Sequence, residues 1–382
     1  MTTSRYLNWT PQTLEQSEKN YSETPPDQRA ALEDDLKEDR RLHDLGYLGV
    51  QREMVGVAAR AIDLVEQGNR KRVWDPRPNL DVNTTFPEFQ EFKKLARILN
   101  AAAYVAFADG NGTLGSQYLL DGLVFSEKMS TDTLVSSLVS VSCRSIILSG
   151  FDRHLDRIGV SDWDRVEDFC TGHFKQGSEV SEILKREMSI QDNITFPSTV
   201  LEDQLSSNGF NLAAEAAKKL SDSQKADLVR QMKQVNEKVI ADAMDRFSGD
   251  EGSWVRTPKT PDEVPDKADP TPDELVQMLG TAASSGYAQL GFAYGRTRAQ
   301  LRLLRLHALI QSYRWKTGHL PGGLRDVADA KDLTDPFSGK GFRYVVLDTN
   351  RYNLFSEGQP GMGTVGLVYH KPPPDASQTI HP

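Results

Sequence analysis

Apolar residues in this chain recur three and four positions apart over most of its length, and only near residue 342 does the spacing fall to two. The first spacing predicts helices packed on one side; the second predicts strands. The stretch "TPPDQRAALEDDLKEDRRLHDLG" predicts a helix capped by Thr24, with prolines and acids in its first turn and Gly46 at its end. Leu32, Leu36 and Leu42 give it a thin apolar stripe. A second helix is expected from about Val50 to Glu66. The segment "KRVWDPRPNLDVNTTFPEF" then reads as an irregular crossing, because Pro76, Pro78 and Pro87 deny a long helix, with Trp74 and Phe86 as anchors on the helical body.

From Phe89 to Cys170 the helical pattern is strong. Leu95, Leu99, Ala102, Ala103 and Ala106 share a face, "ADGNGTLG" breaks it, and Tyr118, Leu119, Gly122, Leu123 and Phe125 resume it. Leu99, Ala103, Ala106, Gly115, Leu119 and Gly122 fall at the spacing of the small and apolar positions of a tetratricopeptide unit, where two antiparallel helices pack closely only across small side chains. The next segment, "TLVSSLVSVSCRSIILSGFDRHLDRIG", is apolar over most of its circumference and is expected to lie between other helices. Ser161 with Asp164, and Ser221 with Gln224, predict the starts of two more helices. The polar stretch between those two has no regular pattern.

Residues 249–270 read as a proline- and acid-rich linker in which Trp254 alone is expected to dock. "TPDE" then forms a capping box on Thr271 and Glu274 with Pro272 in the first helical position. The helix it opens is expected to reach Lys316, with Leu275, Leu279, Ala282, Gly286, Leu290, Tyr294, Leu301, Leu304 and Ala308 along one side and a bend or break at Gly286, Gly291 or Gly295. Gly318 and Pro321 end it. After a short helical piece, "DPFSGK" is a turn with a positive φ at Gly339, and residues 342–346 and 352–356 form a β-hairpin across "DTNR". Two strands alone are marginal, so the hairpin must lie on the preceding helix. The fold class is therefore mainly α: an antiparallel helical-hairpin, repeat-like bundle with a small C-terminal α+β unit. The expected divisions are 1–85, N-terminal helices and crossing; 86–248, helical body; 249–270, linker; 271–370, long helix plus hairpin; and 371–382, a disordered tail.

Composition narrows the function classes. The 382 residues carry a formal net charge of −9, which argues against nucleic acid or an anionic membrane surface as partner. No run of 18 apolar residues occurs, so no direct membrane insertion is expected, and "MTTSRYLNWTPQTLEQ" lacks the apolar core of a signal peptide; the sequence reads as a soluble chain. Cys143 and Cys170, the two cysteines, read as buried thiols. Cys170 and His173 make a lone C-x-x-H without a second pair, and no metal or cofactor is expected. Asp152 and Asp156, with Arg153 and Arg157, read as a solvated helix face, and "DGNGT" at Asp109 as a helix-connecting turn, since Leu114 and Leu120 stand where a calcium loop needs Gly and Glu. None of the common catalytic motifs occurs. Arg296, Arg298, Arg302 and Arg305 lie along one helix of an acidic protein and are the candidate partner-binding residues, the alternative being pairing with acids of the helical body.

The tail "LHALIQSYRWKTGHLPGGLRDV…DPFSGKGFRYVVLDTNRYNLFSEGQPG" resembles the globular end of the major pseudopilin of type II secretion systems. Tyr313, Thr317, Gly318, Pro321, Asp335, Pro336, Phe337, Gly339, Phe342, Tyr344, Tyr352, Leu354, Ser356 and Gly358 stand at the matching places over about 60 residues. The apolar N-terminal segment that makes a pilin is not in this sequence. Where the family follows S-x-G with calcium-holding acids, this chain has "QPGMGTVG", so no calcium site carries over. Most of residues 74 to 361 resembles bacterial proteins, with no known activity, that join a helical repeat-like body to this kind of tail, usually behind a membrane anchor. The resemblance implies architecture and an extracytoplasmic, envelope placement, with a cytoplasmic one as the alternative. The expected function is a non-enzymatic helical scaffold for a protein or peptide partner. Two alternatives stay open: a hydrolase or transferase with its site between body and tail, and a structural envelope component.

Overall fold

The computed structural model describes residues 3–71, 86–129, 133–175, 183–185, 202, 205–206, 210–248, 266 and 269–358. It is mainly α, with one two-stranded antiparallel sheet among the described residues. Helices α1 (Thr3–Asn8), α2 (Gln12–Glu23), α3 (Ala30–Val57) and α4 (Ala59–Asn69) precede α5 (Glu88–Ala108), α6 (Gly112–Lys128), α7 (Leu134–His154) and α8 (Val160–Lys175). Helices α9 (Asn211–Ala217), α10 (Asp222–Ser248) and α11 (Pro272–Thr317) follow, then strands β1 (Arg343–Val346) and β2 (Tyr352–Phe355). Trp74, Trp254, most of the expected linker and the expected tail at 371–382 lie outside the described residues.

The helical pair read from small residues is α5 and α6. Leu99, Ala103 and Leu119 are fully or almost fully buried between them. A Cβ on Gly115 would sit 2.8 Å from the Phe107 ring, and one on Gly122 would meet Ile147 of α7 at 2.4 Å. Gly150 of α7 makes the same kind of contact, with Asn100 of α5 at 2.3 Å. Glycine is needed at these crossings because a methyl group has no room. The turn at 109–111 is closed by the Asn111 side chain accepting from Leu114 N–H, with Gly110 at φ 79°, and Asp109 pairs with Arg52.

α7 is the helix that is apolar all round. Leu134–Arg157 is long and apolar enough to cross a membrane by length and composition, yet 61% of its apolar window is buried inside the protein, where α5, α6 and α11 enclose it. Its starting capping box pairs Thr133 with Ser136.

α11 organises the rest. Its first turns, with Leu275 and Met278, share a core with α9 and α10; Tyr287, Leu290 and Tyr294 share a second core with α10 and Val141; Leu301, Leu304 and Ile310 enter the main core with α5 to α8. The Thr271–Glu274 box starts it and Gly318, at φ 79°, ends it. Of the bend or break expected at the glycines, no break occurs: α11 is a continuous 46-residue helix, about 69 Å along its path. Each interior glycine costs about 1 kcal/mol, a penalty outweighed by packing on both flanks. Gly280 shows a use for such a residue, since a Cβ there would lie 2.7 Å from Val235 of α10.

Three expected helix boundaries are corrected. Thr24 caps the C-terminus of α2, its hydroxyl donating to Asn20 O, rather than starting α3. A proline pair after it permits only a short 3-10 turn, Pro26–Gln28, before α3 begins at Ala30. Gly46 (φ 67°) does interrupt α3, and a further break at Ala58 divides the helix expected over 50–66. Ser161 lies inside α8, which starts at Val160; Asp162, not Ser161, is the buried polar residue of that turn, accepting from Thr113.

The hairpin lies on α11 as expected, in the register Tyr344↔Leu354 and Val346↔Tyr352. Gln311 Nε2 donates to the Tyr352 phenol oxygen at 3.0 Å, and that hydroxyl lies 2.6 Å from His307 Nδ1. Trp163 of α8 meets His307 edge-on. Asp335 holds the "DPFSGK" turn: Phe337 N–H and the Ser338 and Ser356 hydroxyls all donate to its carboxylate, tying the turn to the end of β2. Tyr344 hydroxyl donates to Pro321 O. These bonds account for why Asp335, Ser356, Tyr344, Tyr352 and Pro321 stand where they do.

Burial drives His307 down to about 3, so it is neutral in the fold and binds a proton more readily once unfolded. Its stabilising contribution is complete above the unfolded value near 6.5 and is lost as pH falls from there toward 3. Chemical denaturation across pH 7 to 4 is expected to show this as a slope of up to about 1.4 kcal/mol per pH unit. That component should be absent in His307→Gln; an equal slope in both proteins contradicts the assignment. Gly115→Ala is expected to lower stability by about 1–3 kcal/mol through displacement of Phe107, read from the denaturation midpoint.

Candidate functional site

The four arginines read from the sequence do not act as one surface. Arg305 is part-buried between two carboxylates: Nε lies 2.9 Å from Glu167 of α8 and Nη1 2.7 Å from Asp332 in the segment leading to the hairpin. Its pKa is raised above the ordinary guanidinium value by those two acids, against the opposing effect of burial. Arg302 donates to Thr334 O at 2.8 Å. Both therefore fasten α11 to its surroundings. Arg298 is half-buried, and Arg296 is exposed to solvent.

The thiols are buried as expected. Cys143 is pushed up to about 11 and Cys170 higher still, in each case chiefly by desolvation, so neither is poised as a nucleophile. Asp152, Arg153, Asp156 and Arg157 are all exposed. Among the described residues no three His, Cys, Asp or Glu side chains converge on a point where a metal could sit. The junction of body and tail is filled by Trp163, His307, Tyr352 and the Arg305 ion pairs.

A cleft of about 400 Å³ opens at the N-terminal end, between α1, α2 and α3. α2 folds back along α3, as the Ser17–Asp39 and Arg40–Glu18 contacts require. Leu32, Leu36 and Trp9 supply its apolar wall; Asn8, Thr13, Ser17 and Asn20 supply amides and hydroxyls. Arg5 braces one end, bonded to Asp35 at 2.6 Å and to Asp39 at 2.8 Å. Ser17 hydroxyl donates to the other Asp39 oxygen at 2.6 Å, so this buried carboxylate is satisfied on both sides. Trp9 is 5% exposed, and its indole N–H has no hydrogen-bond partner among the described residues. Leaving a buried donor unpaired costs about 1–3 kcal/mol. The Asn8 side chain and the Asn20 amide nitrogen also make no bond among the described residues.

Of these cleft residues, sequence reasoning named only Leu32 and Leu36, and those as the apolar stripe of a helix rather than as a site. Asp39 carries the one signal available: it interrupts the apolar stripe of α3 at a position that folds inward.

No family model, curated protein or solved structure matches this chain.

Truncating Arg305 strands Glu167 and Asp332 without their cation. Arg305→Ala is expected to destabilise the fold by about 2–4 kcal/mol, whereas Arg296→Ala should change stability by less than about 0.5 kcal/mol. Equal effects in thermal or urea unfolding contradict the distinction drawn between the two.

Proposed function

We propose that the chain is a helical scaffold that holds a protein or peptide partner, with the N-terminal cleft as its binding groove. The observation that carries this reading is the unpaired Trp9 donor bordering a cleft that also presents, among the described residues, the unengaged carboxamide of Asn8 and the free amide nitrogen of Asn20. A carboxamide offers a donor and an acceptor together, which is what an extended peptide backbone requires. The cleft volume suits one or two side chains of such a segment. The Arg5–Asp35–Asp39 group is ion-paired and nets one negative charge, so the favoured segment is uncharged or basic at that end. The resemblance of residues 313–358 to a pseudopilin end supports placing the partner in the cell envelope.

The test is selection of 12-residue peptides displayed on phage against the full chain, followed by affinity measurement on the selected sequences. Asn8 and Asn20 are exposed, so the double variant Asn8→Ala/Asn20→Ala should fold normally. It is expected to bind the selected peptides at least about tenfold more weakly, a loss of about 1.4 kcal/mol. Equal binding by both proteins, or no enrichment at all, overturns the proposal.

A further inference from the structure

Among the described residues, strand β1 has an unpaired edge. Leu347 N–H donates to Arg351 O, which fixes the phase of the ladder: 343, 345 and 347 exchange bonds with β2, so the main-chain groups of Tyr344 and Val346 face away from it. Among the described residues nothing pairs with that edge beyond Phe342, whose N–H is taken by Leu333 O. The side chains along it are apolar and accessible on both faces, with Val345 48%, Val346 44% and Leu347 48% exposed. An unpaired apolar edge of this kind is a template for another strand.

The surroundings give the chemistry of that strand. Between residues 296 and 358 there are eleven Lys and Arg against six Asp and Glu, in a chain whose net charge is −9. Arg314 reaches the hairpin turn, donating to Asn350 at 2.7 Å, and no carboxylate neutralises it among the described residues; Lys316 is exposed and makes no ion pair there either. Between them Trp315 is 73% exposed. It stands about 40° around the helix from Gln311, which bonds the hairpin, and so flanks the same side of α11. Tryptophan and arginine are among the residues enriched at the hot spots of protein interfaces.

We propose that the β1 edge takes up an extended, acidic segment of a partner protein as a third strand, with Trp315, Arg314 and Lys316 contacting it beside the hairpin turn. Main-chain bonds to Tyr344 and Val346 give the affinity and the basic rim gives the sign of the charge. A second copy of this chain is disfavoured, because it would bring two basic rims together. This surface is separate from the N-terminal cleft, and each can fail without the other.

The full chain is tested with two labelled ten-residue peptides, alternating Glu and Val or alternating Lys and Val, by fluorescence anisotropy. Amide hydrogen exchange at 343–347 is followed alongside. The Glu peptide is expected to bind at least about tenfold more tightly than the Lys peptide, and to slow exchange at Tyr344 and Val346. Lys316→Glu, at an exposed unpaired site, should weaken it severalfold; Val346→Pro, which removes an outward N–H without touching the ladder, should abolish it. Asn8→Ala/Asn20→Ala should leave it unchanged. Equal binding of both peptides, binding without protection of β1, or a dimer in light scattering whose β1 amides are already protected overturns the proposal.

Discussion

A 46-residue helix has more apolar surface than any one neighbour can cover, and the architecture follows from where α11 finds its partners. It passes through three separate cores, with α9 and α10 at its start, α10 and α7 in its middle, and α8 with the hairpin at its end. Each fully buried leucine, such as Leu301 or Leu304, contributes about 1.5–3 kcal/mol, so the sum of these contacts outweighs the glycines that weaken the helix locally. Because all three cores share this one helix, it carries the mechanical continuity of the C-terminal half.

The hairpin is the dependent element. It has two strands, and its inner side chains Tyr352 and Leu354 are buried only because α11 and α8 lie beneath them. Several of the polar groups that go inward with it are matched. Tyr352 finds Gln311 and His307, Asp335 finds three donors, and Arg305 finds two carboxylates. Such matching specifies one docking geometry where apolar contact alone would allow sliding. It also explains why Arg302 and Arg305 are occupied within the fold rather than offered to solvent.

Two outward-facing surfaces among the described residues lie toward the two ends of the chain. The N-terminal cleft combines apolar wall, amides and a satisfied buried carboxylate, while among the described residues the hairpin presents an unpaired strand edge, with an exposed tryptophan and cations without a carboxylate partner near its turn. The two surfaces differ in the sign of their charge, and the packed body between them holds its thiols and His307 away from water. Two separate surfaces on one packed body are the organisation that the proposed scaffold role requires.

The sequence by itself determined the local elements. Small residues at Gly115 and Gly122, the capping boxes at Thr271 and Ser221, the positive φ at Gly318 and Gly339, and the alternation after Phe342 each state a local rule that the fold obeys. Boundaries were less legible: Thr24 and Ser161 are good caps in isolation, and which helix end a hydroxyl serves depends on where the chain goes next. The continuity of α11 through its glycines, the inward turn of Asp39 and the stranding of the Trp9 donor were decided only by tertiary structure. These depend on contacts between segments far apart in the chain, and for those periodicity and capping carry no information.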